Sequence, residues 1–310
     1  MRHVFIINPR AGKKDQTARI YAMADALREK HGLECLCLLT ERAGGAEELA
    51  RRQAESGGEV RVYACGGDGT VNEVCNGVAG FPNAAMSVIP IGTGNDFLKN
   101  FGPDRAKFSD AENLWNGEVR QLDLIDCNGR LCLTIACNGV DARIAETVRE
   151  FGSSPLLSGK GSYVASAAAH FLFRGISRHW TVWLDDEEIE DDFSLVSTCN
   201  GRFYGGGFMP VPEARMDDGV LHTILVRAVS KATFARLFGP YSRGEHEKLG
   251  AAVRVCTPKV VRIHAAPDAE EIVTCLDGEC SRSRDVTMTL SDRKLNFFGP
   301  AGCDPNANAK

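Results

Sequence analysis

The chain has 310 residues, 44% hydrophobic and 25% charged, which is ordinary for a soluble globular protein and long enough for two domains. A formal net charge of -5 excludes the global basic field that draws nucleic acid or anionic lipid, and no apolar run reaches the roughly 18 residues of a membrane-spanning helix. The 12 cysteines include no Cys-x-x-Cys pair and follow no signal peptide; Cys35, Cys65, Cys132, Cys137 and Cys199 sit in apolar, strand-like runs, so they read as reduced core thiols rather than disulfides or zinc ligands.

Val4–Ile7 reads as a first strand, closed by Asn8-Pro9-Arg10-Ala11-Gly12. Gln16–His31 places Ile20, Met23, Ala24 and Leu27 on one helical face, Cys35–Leu39 is a strand ending at Thr40, and Ala46–Ala54 is a charged helix. Val60–Cys65 is a short β-branched run that meets Gly66-Gly67-Asp68-Gly69-Thr70, after which helical spacing carries Val71-Asn72-Glu73 on to Val78. The plan repeats after the run Met86–Pro90, with Ile91 and then Gly92-Thr93-Gly94-Asn95-Asp96-Phe97. Glycines let backbone N–H groups approach a ligand closely, and a helix start adds the positive end of its dipole, so each turn is suited to an anion. A polyphosphate is the natural ligand, and the two aspartates are placed to manage a metal or a proton. Neither turn has the Gly-Lys-Ser/Thr of a P-loop or the Gly-x-Gly-x-x-Gly of a dinucleotide fold. Alternating strands and helices predict a Rossmann-like, three-layer parallel α/β domain that binds its ligand beyond the carboxyl ends of the strands.

Ala111–Asn116 reads as the last helix of this domain. Beyond it, Val119–Ile125 alternates, and Leu131–Cys137 is a strand after the Asn128-Gly129 turn. Asp123, within the first of these strands, reads as an outward-facing residue. Tyr163–Ile176 is expected to be an alanine-rich helix, packed on a sheet or lining an acyl or membrane contact. Trp180–Leu184 and Phe193–Cys199 are strands around the acidic run Asp185–Asp192, a solvated hairpin. Gly205-Gly-Gly-Phe208 reads as a flexible loop before Pro212–Leu221, followed by a strand Val220–Val226, a helix Ser230–Phe238 and strands at Val253–Cys256, Val260–His264 and Val286–Leu290. Asp277-Gly278-Glu279 reads as a hairpin turn capped by Asp277. Leu295–Phe298 is a short closing strand and Ala301–Lys310 a loose tail. The many short strands between Val119 and Phe298 predict an antiparallel β-sandwich, giving domains over 1–120 and 121–292 with a closing strand and tail over 293–310.

Gly66-Gly-Asp-Gly-Thr70 resembles the phosphate loop shared by diacylglycerol, sphingosine and NAD kinases and, more distantly, phosphofructokinases. Pro90-Ile-Gly-Thr-Gly-Asn-Asp-Phe97 looks like the lipid-kinase branch, and Asn8, Pro9 and Gly12 match that branch's Asn-Pro-x-x-Gly. The resemblance to bacterial diacylglycerol kinases covers nearly the whole chain. It implies a lipid kinase that uses ATP and Mg2+, with nucleotide contacts from Asn8, Pro9, Arg10, Ala11 and Gly12, from Thr40, from Gly66, Gly67, Asp68, Gly69, Thr70, Val71, Asn72 and Glu73, and from Thr93, Gly94 and Asn95. It implies that Glu279 is the catalytic base, that Asp68, Asp96 and Asp123 form the acid group, and that a structural magnesium sits on Asp218 and the carbonyls of Arg215 and Val220. A lipid entering between the two domains would meet Glu279.

The resemblance also implies a cytoplasmic protein that meets its lipid transiently at the inner membrane face, with no nucleic-acid partner and with a homodimer left open. Which lipid is the acceptor is not legible, because acyl pockets are lined by generic apolar residues. Two further readings stay on the page: a soluble-substrate kinase of the NAD kinase type, which shares only Gly66–Thr70, and a nucleotide-sensing regulator without turnover, against which the intact acids Asp68, Asp218 and Glu279 argue.

Overall fold

Apolar runs cut by glycine turns give short strands, and the order of those strands separates two compact units. The computed structural model describes residues 1–92, 94–152, 175–245, 248 and 250–307. One unit holds Met1–Leu124, Arg215–Asp218 and the chain from Ser291 onward; the other holds Ile125–Ala214 and Gly219–Leu290.

In the first unit, β1 (Arg2–Ile7), β2 (Glu34–Leu39), β3 (Val60–Gly66) and β4 (Ala84–Pro90) pair in parallel in the order β2-β1-β3-β4. The connections are α1 (Thr17–His31), α2 (Gly45–Glu55) and α3 (Asp68–Val78), and a single turn, α4 (Asp96–Lys99), follows β4. Helices on such a sheet bury both faces of its central strands, and Val4–Ile7 and Val62–Cys65 are accordingly without solvent exposure. α1 buries Ile20, Ala24 and Leu27 at helical spacing. Phe5 stacks on Tyr63 with centroids 4.3 Å apart, and the Tyr63 hydroxyl lies 2.8 Å from His3 Nδ1. Burial, reinforced by the nearby Arg61, lowers the His3 pKa to about 4, so this core imidazole is neutral.

Two strands expected to follow the first domain complete its sheet instead. β17 (Leu295–Gly299) lies between β4 and β5 (Glu118–Leu122), parallel to the first through Phe297 and Met86 and antiparallel to the second from Leu295–Leu122 to Gly299–Glu118. Alternation signals a strand but not its partner. Phe297 and Phe298 are buried, and Phe297 packs against Phe97, Phe101 and Phe108, which fixes the strand to this unit. The helix expected over Ala111–Asn116 is a single short 3-10 turn, Ala111–Asn113, which follows another 3-10 segment at Gly102–Ser109.

The second unit is one 11-stranded, wholly antiparallel network. Its strands are β6 (Ile125–Cys127), β7 (Arg130–Cys132), β8 (Ile135–Gly139), β9 (Arg178–Leu184), β10 (Glu187–Cys199), β11 (His222–Arg227), β12 (Val253–Cys256), β13 (Val260–His264), β14 (Ile272–Leu276), β15 (Glu279–Ser283) and β16 (Asp285–Leu290). The long β10 carries it: Glu187–Phe193 pairs with β9, Leu195–Cys199 pairs with β8 and β11, and an irregularity falls between Phe193 and Leu195. One core gathers Trp180, Val182, Phe193, Val261, Ile263, Val286 and Met288. A second gathers Ile135, Leu195, Ile224, Val226 and Val273 with side chains from α5 (Val140–Gly152) and α6 (Lys231–Ser242).

Three expectations change here. α5 has no sequence prediction, because Gly139, with φ +126°, precedes it in place of a capping Ser, Thr, Asp or Asn. The strand expected over Leu131–Cys137 is broken between β7 and β8, where the N–H groups of Leu133 and Thr134 turn to the Asp277 carboxylate at 2.6 and 2.8 Å. α6 continues through Pro240 to Ser242 rather than stopping at Phe238. The helix expected over Tyr163–Ile176 lies, through residue 174, outside the described residues.

Candidate active site

The carboxyl ends of β1, β3 and β4 are knitted together by backbone hydrogen bonds. The Asn8 N–H donates to Cys65 O at 3.0 Å, and the N–H groups of Ile91 and Gly92 both donate to Gly66 O at 3.1 Å. Thr40 extends the row after β2, its N–H donating to Ile7 O at 2.9 Å. The Asn8 side-chain amide donates to Thr70 Oγ1 at 3.2 Å, tying the first loop to the third. Close approach explains the glycines: a Cβ on Gly92 would stand 2.4 Å from Gly67 Cα, and one on Gly12, at φ +81°, would stand 2.2 Å from Ile91 O. α3 starts at Asp68 itself, so its first N–H groups open at the turn.

Asp68 joins the two glycine turns directly. Its Oδ1 accepts the Asp96 N–H at 2.7 Å, and Gly94 packs so closely that a Cβ there would meet Asp68 Oδ2 at 2.2 Å. Asp96 pairs with Lys99, and Asn95 is left-handed at φ 53°, its amide donating to Gly92 O at 2.8 Å. Thr93 lies outside the described residues. Val71 and Asn72 face the interior of the unit, and the Glu73 carboxylate accepts the N–H groups of Gly44 and Ala46 at 2.9 and 3.0 Å. Glu73 thus caps the start of α2, a structural task its position in the motif did not reveal.

The outward reading of Asp123 is excluded: its side chain is buried and ion-paired with Lys294, and its N–H donates to Met216 O at 2.7 Å. The Arg215–Asp218 stretch is braced by Asn306, which accepts from Met216 N–H at 2.9 Å and donates to Asp217 at 2.8 Å. Asp218 is exposed, and Gly219 turns the chain at φ +74°. Among the described residues no three His, Cys, Asp or Glu side chains gather as a metal cluster. The predicted magnesium site is of another kind, one exposed carboxylate with backbone carbonyls. These are hard oxygens, the donor type magnesium accepts.

Glu279 opens β15 opposite Leu276, directly after a two-residue turn with Asp277 at φ 48° and Gly278 at φ 96°. Both central residues are left-handed, the geometry of a tight hairpin, and this fixes the Glu279 backbone. The Asp277 carboxylate also reaches beyond its own turn, to the Leu133 and Thr134 N–H groups and the Thr134 hydroxyl. The hairpin is thereby pinned to the β7–β8 break, which Asn200 and Gly201 reinforce by donating to Thr134 O.

A feature with no counterpart in the sequence reading lies within the second unit. A pocket of about 720 Å³, mouth included, is lined among others by Ile144 of α5, Leu195 of β10, Val226 of β11 and Val253 of β12. One face of α6 supplies Phe234, Leu237, Phe238 and Tyr241 at spacings of three and four. Phe238 is 47% exposed, a large apolar side chain left at solvent. The glycine-rich segment expected to be flexible is closed: Gly205, Gly206 and Gly207 all take positive φ, so Tyr204 and Phe208 bond to each other at 3.1 and 2.9 Å and both line the pocket. Among the described residues of the lining Asp141 is the one with an ionisable carboxyl, with Tyr204 and Tyr241 beside it. Burial raises the Asp141 pKa and drives both phenols well above their usual range. A signal in the sequence that could have found this site is the helical spacing of Phe234, Leu237, Phe238 and Tyr241.

Residues 2–127 match the diacylglycerol kinase catalytic domain, and residues 134–299 match the YegS C-terminal NAD kinase beta sandwich-like domain. The chain therefore belongs to the diacylglycerol kinase family of lipid kinases. It is 30% identical over 304 residues to a diacylglycerol kinase from Staphylococcus epidermidis, covering 95% of this chain and 91% of that one. It is 29% identical over 300 residues to the "Probable lipid kinase YegS-like" protein of Pseudomonas aeruginosa, covering 94% and 93%. A diacylglycerol kinase crystal structure from Bacillus anthracis str. Sterne aligns with TM-score 0.69 over 97% of this chain and 98% of that one, at 20% identity, and shares the fold.

Proposed function

We propose that this protein is a magnesium-dependent kinase that moves the γ-phosphoryl group of ATP onto the free hydroxyl of diacylglycerol. The observation that carries the reading is the interlock of the two glycine turns through Asp68, which leaves the N–H groups at the start of α3 for a polyphosphate. The lipid half is supported by the apolar pocket of the second unit, whose size and lining suit an acyl chain.

In this reading Glu279 accepts the hydroxyl proton as the lipid oxygen bonds to the γ-phosphorus. The bond from that phosphorus to the β–γ bridging oxygen breaks, and ADP leaves with the electron pair. Asp68 positions the second glycine turn, and Asp96 and Asp123 add negative charge, each held by a lysine. Asp218 and neighbouring backbone carbonyls are the candidate magnesium ligands. When bound, magnesium would neutralise phosphate charge. Contact with the bilayer is peripheral and transient in this reading, at the cytoplasmic face; among the described residues no helix is long and apolar enough to cross a membrane.

An ATP-consumption assay across diacylglycerol, sphingosine, ceramide, phosphatidylglycerol and NAD tests the proposal. Turnover with diacylglycerol is expected. Turnover with NAD alone would move the protein to the soluble-substrate class, and binding of ATP without turnover on any of the five would leave a nucleotide-sensing regulator.

A further inference from the structure

The hairpin that carries Glu279 also carries two thiols face to face. Cys275 of β14 stands directly opposite Cys280 of β15, one step from the two-residue turn. Leu276 and Glu279 flank that turn, which in a tight hairpin makes them a backbone-bonded pair. The next pair, Cys275 and Cys280, is then the kind without bonds between its backbones. Such pairs bring Cα atoms to about 4.5 Å, within the roughly 4.4–6.8 Å that a disulfide spans. The two thiols lie within hydrogen-bond reach of each other.

A third thiol shares the row, since Cys137 of β8 faces Cys275 from the other side. Alternation makes that pair the backbone-bonded kind, whose side chains stand farther apart. Cys137 and Cys275 are buried, whereas Cys280 is half-buried and is the thiol of the three that a reagent meets first. Cys280 points to the α5 side, its Sγ 3.9 Å from Ala142 O, so Glu279 before it points to the opposite face.

We propose that Cys275 and Cys280 are an oxidisable pair, closed into a disulfide by a low-molecular-weight disulfide of the glutathione type, and that the bond displaces Glu279 and lowers turnover. Each cysteine first loses its proton to solvent. The Cys280 thiolate attacks one sulfur of the reagent; a protein–reagent S–S bond forms, the reagent's own S–S bond breaks, and one reagent thiolate leaves and takes up a proton. The Cys275 thiolate then attacks the Cys280 sulfur; the protein S–S bond forms, the mixed one breaks, and the second reagent thiolate leaves and is protonated. Two protein thiols are oxidised by two electrons in all, and one reagent disulfide is reduced to two thiols. Opposed Cβ atoms about 4.5–5.5 Å apart must close to about 3.8 Å. The strands are drawn together at the residue next to Glu279, while Asp277 holds the turn to Leu133 and Thr134 and keeps the hairpin from shifting as a whole. The loss of turnover rests on the reading of Glu279 as the base; formation of the bond does not.

The test incubates reduced protein with excess oxidised glutathione, alkylates the remaining thiols and weighs tryptic peptide 263–282, which holds both cysteines. The expected peptide carries neither alkyl group nor glutathione and is two hydrogens lighter than the dithiol. Turnover of diacylglycerol should fall about tenfold or more, the scale of a small misplacement of a catalytic group, and return with a reducing agent. Cys280→Ser and Cys275→Ala should each keep the reduced wild-type kcat in oxidised glutathione. A peptide alkylated at both cysteines, one that stops at the glutathione adduct, or one cross-linked to peptide 131–143, which holds Cys137, overturns the pair. A disulfide that leaves kcat unchanged, or inhibition that persists in both variants, overturns the displacement of Glu279. Reduced protein that turns over no lipid overturns the kinase reading and the turnover half with it, while the peptide mass decides the bond independently.

Discussion

The glycine turns of the first unit and the pocket of the second are both concave and both suited to a ligand, but they are built from opposite materials. The turns are backbone: their N–H groups come from Gly66–Thr70 and Gly92–Asp96, and they are held by bonds such as Gly92 N–H to Gly66 O. The pocket is side chain: Asp141, Tyr204 and Tyr241 meet from three separate stretches. A backbone site tolerates almost no added atom, whereas a pocket lined by many apolar groups loses affinity by degrees. Substitutions should therefore separate the two by readout as well as by size.

The largest effect is expected at Glu279, which neither region contains. Glu279→Gln should lower kcat by about 10²–10⁴-fold with ATP affinity retained; a variant keeping a tenth of wild-type kcat would rule Glu279 out as the base. Next comes Gly92→Ala, whose Cβ would stand 2.4 Å from Gly67 Cα. It should weaken ATP binding by about tenfold or more, a strain of roughly 1–3 kcal/mol, with lipid affinity unchanged in calorimetry. Leu237→Ala should raise the lipid KM about five- to tenfold through lost apolar contact and leave the ATP KM alone. Equal shifts in both KM values would collapse the distinction between the regions.

The smallest effects concern pH, and two buried groups, one in each unit, should contribute with opposite signs. His3 has a folded pKa lowered to about 4 by burial, so the unfolded chain binds its proton first. As pH falls from about 6.5 toward 4, the first unit should lose stability, and His3→Gln should flatten that loss. Asp141 has a raised folded pKa, so the folded chain binds its proton first. Falling pH should relieve its cost down to roughly 3.9, and Asp141→Asn should remove that gain. Hydrogen exchange of core amides in each unit at several pH values reads the two slopes separately.

The same contrast explains what could be read from the sequence. Strands β1 to β4 and the two glycine turns were legible because only glycine permits the approach of Gly92 to Gly67, which leaves a mark at fixed positions. The Asn128-Gly129 hairpin was legible for the same reason, both residues being left-handed. β5 was recognised as a strand yet read with the other unit, and β17 was set apart as a closing strand, since alternation does not name a partner. The anchoring of Asp277 to Leu133 and Thr134, the cap made by Glu73, and the row from Asp141 to Tyr241 all depend on contacts distant in sequence, and no local pattern encodes them. α5 lacked the capping residue that announces most helices.

β17 carries a consequence for how the protein is made. Its Phe297 pairs with Met86 of β4, and it separates β4 from β5. During synthesis the first four strands emerge early, but the edge of β4 stays open until the ribosome has delivered Gly299. An open edge in a nascent sheet is a template for pairing with other chains. Nascent chains halted between the end of β16 and the start of β17 should therefore need chaperone cover, and a late frameshift should cost the first unit its solubility even though every residue of its glycine turns has been translated.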